Sequence, residues 1–324
     1  MRVSLFEPFT ELDLPLPDRR DGKVRTSWAL DPDEHGDRRL IVTTDRLSAF
    51  DRVLAGVPYK GQVLNQLSAW WFERTADIVP NHALGVPDEN ALVARAAQPL
   101  TVEVVVRGHI TGVTDTSLWG MYAAGARHMY GYELPDGLRK NTPLPRHIVT
   151  PTTKAVAGGH DQPLSCAEVV ARDLLPADLW ERVQTAALAL FARGVAVAEA
   201  AGLILADTKY EFGLVPGTHG DELLLIDEVH TPDSSRFWMV DSYERRLAAG
   251  EEPESLDKEF VRRAFADLGY KGDGPVPRLP AEVWSATAGR YVLAYETLTG
   301  EAFAPGAYPV QARLTEHLTK AGLL

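Results

Sequence analysis

Three charged residues alternate within Asp207-Thr-Lys-Tyr-Glu-Phe-Gly213. Read as a strand from Leu203 to Phe212, this stretch puts Ala206, Thr208, Tyr210 and Phe212 on one face. Asp207, Lys209 and Glu211 fall on the other, because successive strand side chains point to opposite sides. Val215 to Glu222, with two glycines and a proline, reads as a turn, and Leu223 to Val229 as the returning strand. One pairing register sets Glu211 opposite Asp227. Like charges facing each other across a ladder are destabilising, so the pair suggests a cation between them. Hard oxygen ligands suit Mg²⁺ bridging to phosphate. The same charges equally suit a solvated hairpin whose acids pair with Lys209 and Arg236.

Other charged motifs sit at strand ends and loops. Gly22-Lys23-Val24-Arg25 precedes the first strand, and a lysine after a glycine can reach a triphosphate as a point charge. A surface basic pair is the commoner outcome for such a tetrapeptide. Thr44-Asp-Arg-Leu-Ser-Ala-Phe-Asp51 is dense in groups that bind polar ligands, though each is also ordinary turn material. Arg107, ending a β-branched run, can fork onto carboxylate or phosphate. Thr152-Thr-Lys154 and His160-Asp161 fit a loop closing over anions. There is no G-x-G-x-x-G, HExxH or G-x-S-x-G. Gly56-Val-Pro-Tyr-Lys-Gly61 begins like a P-loop, but Gln62 stands where its lysine belongs.

The elements that must hold these residues follow from patterning. Val24 to Leu30 and Arg39 to Thr44 read as strands around a polar turn from Asp31 to Asp37, and Leu92 to Val106 holds two more. Leu64 to Ala76, Ser117 to Gly125, Pro176 to Ala201, Leu256 to Leu268 and Pro280 to Leu298 read as helices. In the third, Val183, Ala187, Leu190, Phe191 and Val197 form one stripe. Pro135 to Ser165 reads as one long irregular stretch, of a length that marks a functional loop.

The chain has 324 residues, 45% hydrophobic and 24% charged, with a net charge of −12. That length accommodates two domains, and the charge argues against a general nucleic-acid or anionic-membrane binder. The one cysteine, Cys166, excludes a disulfide framework and a multi-cysteine zinc site; it reads as a small, half-buried residue. No apolar run reaches the ~18 residues of a membrane span, and Met1 to Glu7 lacks the apolar centre of a signal peptide. The expectation is a cytoplasmic protein acting on small molecules. Oligomeric state is open, with a homo-oligomer allowed.

The set Gly22-Lys-Val-Arg25, Thr44 to Asp51, Lys60-Gly-Gln-Val-Leu64, Val106-Arg-Gly108, Thr150-Pro-Thr-Thr-Lys154, His160-Asp161, Asp207 to Gly213, Ile226-Asp-Glu228, Thr231-Pro-Asp-Ser-Ser-Arg-Phe-Trp238, Leu256-Asp-Lys-Glu-Phe260 and Tyr295-Glu-Thr-Leu-Thr-Gly300 resembles the SAICAR synthetase family, in family order over nearly the whole chain. The resemblance implies an α+β fold. A small β-rich, kinase-like lobe (1–100) would bind nucleotide beside a larger ATP-grasp-like domain (101–324). It implies an ATP- and Mg²⁺-dependent ligase joining L-aspartate to 5-aminoimidazole-4-carboxylate ribotide through an acyl phosphate. Lys23, Arg25, Glu211 and Asp227 would serve the nucleotide, the two acids holding Mg²⁺. Arg107, Ser117, Asp233, Arg236, His160 and Asp161 would bind substrate, and Lys209, Asp207 and Lys154 would act in catalysis. Lys154, His160 and Asp161 would sit on a closing loop, about 141–165. Phosphoryl transfer needs metal and cations more than a nucleophilic side chain, which is the balance this sequence offers.

Three positions depart from the family pattern: Thr26 for an acid, Ala96 for a lysine and His109 for a tyrosine. Ala96 and His109 lie at either end of the strand delivering Arg107. They leave open a paralogue acting on a related heteroaromatic acid, such as a pyrazole carboxylate riboside or ribotide of C-nucleoside antibiotic biosynthesis. A binding protein without turnover is the remaining alternative.

Overall fold

Two antiparallel sheets organise the chain. The computed structural model describes residues 7–50, 52–154, 162–218, 220–270, 272 and 274–324. The first sheet has five strands in the order Arg20–Asp21, Arg25–Asp33, Gly36–Thr43, Ala91–Arg95, Ala83–Asp88. Its alternation is strict. Trp28, Leu40, Val42, Ala91 and Val93 face one way, onto helix Val310–Lys320 and the arm residues Phe9, Leu12 and Leu14. Ile41, Leu92 and Ala94 face the other way, onto helix Lys60–Thr75. The expected turn from Asp31 to Asp37 is shorter, since the strands continue to Asp33 and resume at Gly36.

The second sheet runs Pro143–Thr153, Val102–His109, Leu203–Val215, Glu222–Ile226, with Gln98–Pro99 and Ser235–Met239 also paired to Leu203–Val215. Helix Ala177–Ala200 lies over it, burying Leu179, Trp180, Val183, Ala187, Leu190 and Phe191. By length and composition this helix could cross a membrane, which the reading of apolar runs did not anticipate. Its apolar side chains are instead the core of this sheet. That core continues through helix Lys60–Thr75 to Tyr291, Val292 and Tyr295 of helix Ala281–Thr299. The result is an α+β fold.

The stretch expected to be irregular from Pro135 to Ser165 contains the eleven-residue strand Pro143–Thr153. It occupies the sheet's edge, where prolines remove no ladder hydrogen bond. Helices Cys166–Ala171, Val240–Ala248 and Val310–Lys320 lie outside the expected set. Cys166 is half-buried, as read.

Candidate active site

The site is built on strand Leu203–Val215. A bulge between Leu205 and Asp207 shifts its phase. Leu203 and Leu205 face the main core before it, and Tyr210 and Phe212 after it, while Ala206 packs with Trp238 and Tyr243 on the opposite side. A bulge re-aims side chains in this way, and Asp207, Lys209 and Glu211 emerge together.

Asp207 has an arginine in register on each side, Arg107 in strand Val102–His109 and Arg236 in strand Ser235–Met239. Its Oδ2 accepts hydrogen bonds from Arg107 Nη1 at 3.0 Å and Arg236 Nη1 at 2.5 Å. Arg107 Nε also donates to Thr150 at 2.9 Å. The row of three charges across three strands is locked by backbone pairing.

This row lines a cavity of about 710 Å³ shared by Ser117, Lys209, Asp233 and Lys258. Ser117 caps helix Leu118–Ala123, accepting from Gly120 N at 3.1 Å. Six of the expected residues therefore meet in one cavity: Asp207, Lys209, Arg107, Ser117, Asp233 and Arg236.

The acids expected to bind metal form an adjoining group. Glu211 pairs with Ile226, not Asp227. Asp227 follows the end of its strand with φ 68°, a left-handed conformation uncommon for a non-glycine residue. The expected ladder pair is thus a pair across a strand end. Lys209 donates to Glu211 at 2.5 Å and Glu103 at 3.0 Å, and Lys154 reaches Glu211 at 2.5 Å. Burial opposes ionisation of Glu211, but Lys209 and Lys154 outweigh it and bring its carboxyl down to about 2. Arg25 Nη1 meets Asp227 at 2.8 Å and Nη2 meets Glu228 at 3.3 Å. Burial pushes Asp227 up to about 6; Arg25 pulls against this, while Glu211 and Glu228 add to it. Oxygen donors and surplus negative charge fit a divalent cation.

Lys23 is exposed two residues before Arg25. His160 and Asp161 lie outside the described residues. Asp45, read within a ligand-binding motif, is instead a buried structural hub. It accepts from Phe9 N at 2.8 Å, Gly61 N at 2.9 Å and Tyr308 OH at 2.7 Å. His109 and Ala96 do not line the cavity. His109 stacks edge-on against Trp238, and Ala96 N donates to Asp37 O. The sequence reading put both at the ends of the strand delivering Arg107, flanking the pocket; His109 does end that strand, but Ala96 lies outside it, and neither forms part of the cavity wall.

Several contacts of the site escaped the sequence reading. Lys60 Nζ donates to Asp233 Oδ2 at 2.8 Å and Tyr291 OH to Asp233 Oδ1 at 2.5 Å. Arg236 Nη2 and Arg262 Nη1 approach Glu259 at 3.4 and 3.2 Å. Burial brings Lys258 down to about 8, and burial with Glu259 raises Asp257 to about 7. The run Asp257-Lys-Glu259 was visible as part of a motif, but three charges at a helix start are ordinary surface material.

Residues 18–279 match the SAICAR synthetase family model. A phosphoribosylaminoimidazole-succinocarboxamide synthase of Legionella pneumophila (strain Lens) is 47% identical over 315 residues, 95% of this chain and 97% of the relative. The solved SAICAR synthase from Saccharomyces cerevisiae complexed with SAICAR superposes with a TM-score of 0.76 at 33% identity, covering 91% of this chain and 99% of that one. A type-2 SAICAR synthetase structure in complex with ADP shares the fold, with a TM-score of 0.65 at 24% identity over 89% of this chain and 100% of that one. Likeness of this extent takes in every element that carries the cavity: the chain belongs to the SAICAR synthetase family, ATP-dependent ligases of purine biosynthesis.

Proposed function

We propose that this chain joins L-aspartate to the carboxylate of 5-aminoimidazole-4-carboxylate ribotide, consuming ATP. A carboxylate oxygen attacks the γ-phosphorus and ADP leaves. The aspartate amine then attacks the acyl carbon, the C–O bond to phosphate breaks, and the nitrogen gives up a proton. The products are the succinocarboxamide, ADP and phosphate.

The observation that carries this reading is the row Arg107–Asp207–Arg236 in the cavity wall. Two guanidinium groups fixed by one buried acid offer forked donors to an anion. With Ser117 and Asp233 they are assigned to the ribotide. Lys23, Arg25, Glu211 and Asp227 are assigned to the nucleotide, with residues 1–100 as its lobe, completed by helix Val310–Lys320 from the expected second domain, 101–324. Glu211 and Asp227 would hold Mg²⁺, which supplies neutralisation of phosphate charge when bound. Lys209 and Lys154, both on Glu211, would supply the positive charge a transferring phosphoryl group needs.

A coupled ADP-release assay with the imidazole ribotide, with and without L-aspartate, tests the proposal. Sustained release requiring both substrates is expected. Release with a pyrazole acid and none with the imidazole acid would overturn it.

A further inference from the structure

Asp233 is tied at both oxygens by residues from opposite ends of the chain. Lys60 begins helix Lys60–Thr75, directly after Tyr59, whose φ of 64° is left-handed. Its side chain is fully buried, with its ammonium on Asp233 Oδ2 at 2.8 Å and 5.9 Å from the Tyr291 ring centroid. Tyr291, from helix Ala281–Thr299, is also buried and donates to Oδ1 at 2.5 Å. Neither Lys60 nor Tyr291 lines the cavity, whereas Asp233 does.

A buried lysine is tolerated only when paired, so this arrangement has to serve the acid it meets. We infer that Lys60 and Tyr291 are positioning residues, fixing Asp233 as an ionised, acceptor-only carboxylate whose remaining lone pairs face the acid substrate. A carboxylate has about four acceptor sites, and two are taken. What is left is open to a donor on the substrate. The inference rests on the assignment of Asp233 to the acid site.

The surroundings agree. Asp233 is held well below the usual carboxylate range: burial opposes this, and Lys60 and Lys258 outweigh it, helped by the hydrogen bonds from Lys60 and Tyr291. Arg25 also bears on it, and Glu228 and Asp257 bear on Tyr291. The carboxylate belongs to the tight turn Thr231–Ser235, where Thr231 Oγ1 accepts from Asp233 N at 3.2 Å and Ser234 N at 3.3 Å. Backbone and side chain are therefore both fixed before substrate arrives, which lowers the cost of orienting it.

The test uses Tyr291→Phe, Lys60→Met and Asp233→Asn in the full chain, assayed for KM of the acid, KM of ATP and kcat. Tyr291→Phe should raise KM for the acid about tenfold, the scale of a hydrogen bond to a charged group. The KM for ATP and kcat should stay within about twofold. In an Asp233→Asn background, Tyr291→Phe should add nothing, because its effect passes through Asp233. If Lys60→Met does not fold, Tyr291→Phe alone decides. An acid KM raised by Asp233→Asn but unmoved by Tyr291→Phe overturns the inference and leaves the assignment of Asp233 standing. An acid KM unmoved by Asp233→Asn overturns both. Equal losses in all three constants, additive with Asp233→Asn, would make Tyr291 a purely structural residue and also overturn it.

Discussion

Arg25 and Asp227 are 202 residues apart in sequence and 2.8 Å apart at Nη1 and Oδ1. The contact ties the first sheet to the loop after strand Glu222–Ile226 and opposes the burial that raises Asp227 in the candidate metal site. With Asp227 at about 6 against an ordinary 3.8, the folded protein binds this proton more tightly than the unfolded chain. Ionisation of Asp227 therefore costs stability. The cost is absent below the ordinary value and complete above the folded one. Asp227→Asn should match wild type in melting temperature near pH 4 and exceed it above pH 6, by the equivalent of about 1–3 kcal/mol. The variant should lose ligation, and Mg²⁺ with ATP should raise the melting temperature of wild type only. Wild-type turnover by this variant at ordinary Mg²⁺ would remove Asp227 from the metal site.

Arg236→Lys keeps a positive charge and loses the planar fork that spans Asp207 and Glu259. The expected result is a KM for the acid raised by about 10- to 100-fold, with ATP binding unchanged. Isothermal titration with each ligand separates the two. Weakened ATP binding with normal acid binding would move Arg236 to the nucleotide side.

Lys258 lines the cavity and is brought down to about 8 by burial, with Asp233 and Glu228 pulling it up and Arg262 and Lys60 pushing it down. It is a cation below that pH and neutral above it. Affinity for an anionic acid should therefore fall as pH rises through 8, and Lys258→Gln should flatten that limb of the kcat/KM profile. An unchanged alkaline limb in the variant would show that another group sets it.

Asp45→Asn should separate structure from chemistry. An amide nitrogen would face one of the three donors that now converge on Asp45. A loss of about 1–3 kcal/mol in urea unfolding is expected, from one buried donor left unsatisfied. The kcat should be unchanged under conditions where the variant is folded. A selective fall in kcat without loss of stability would return Asp45 to the ligand site.

Much of the site was legible because it lies on one strand. Period two alone brought out Asp207, Lys209 and Glu211, and the motif order placed Arg107 and Arg236. Asp227 was placed one position off, because a left-handed residue at a strand end leaves no mark in a pattern of apolar and polar letters. Strand Pro143–Thr153 was read as loop because prolines argue against a central strand and only topology shows that this one is at the edge. Lys60 stood in a quoted motif, but its contact with Asp233, like that of Tyr291, was invisible for a different reason. A lysine opening a helix is normally solvated, and its burial depends on an aspartate 173 residues away.

The small sheet has a consequence for how the chain acquires its shape. One face of that sheet, with Trp28, Leu40 and Val42, is covered by helix Val310–Lys320. Arg313 of that helix forks onto buried Asp88 at 2.9 and 3.0 Å, across 225 residues of sequence. During synthesis the sheet leaves the ribosome long before its cover does. Beyond what the arm residues Phe9, Leu12 and Leu14 cover, its apolar face must then stay wet, or be shielded by a chaperone, while more than two hundred further residues are added. Such long-range closure slows folding and prolongs exposure to aggregation. Arg313 is therefore a residue whose loss should show first as poor yield in the cell, ahead of any defect in the purified enzyme.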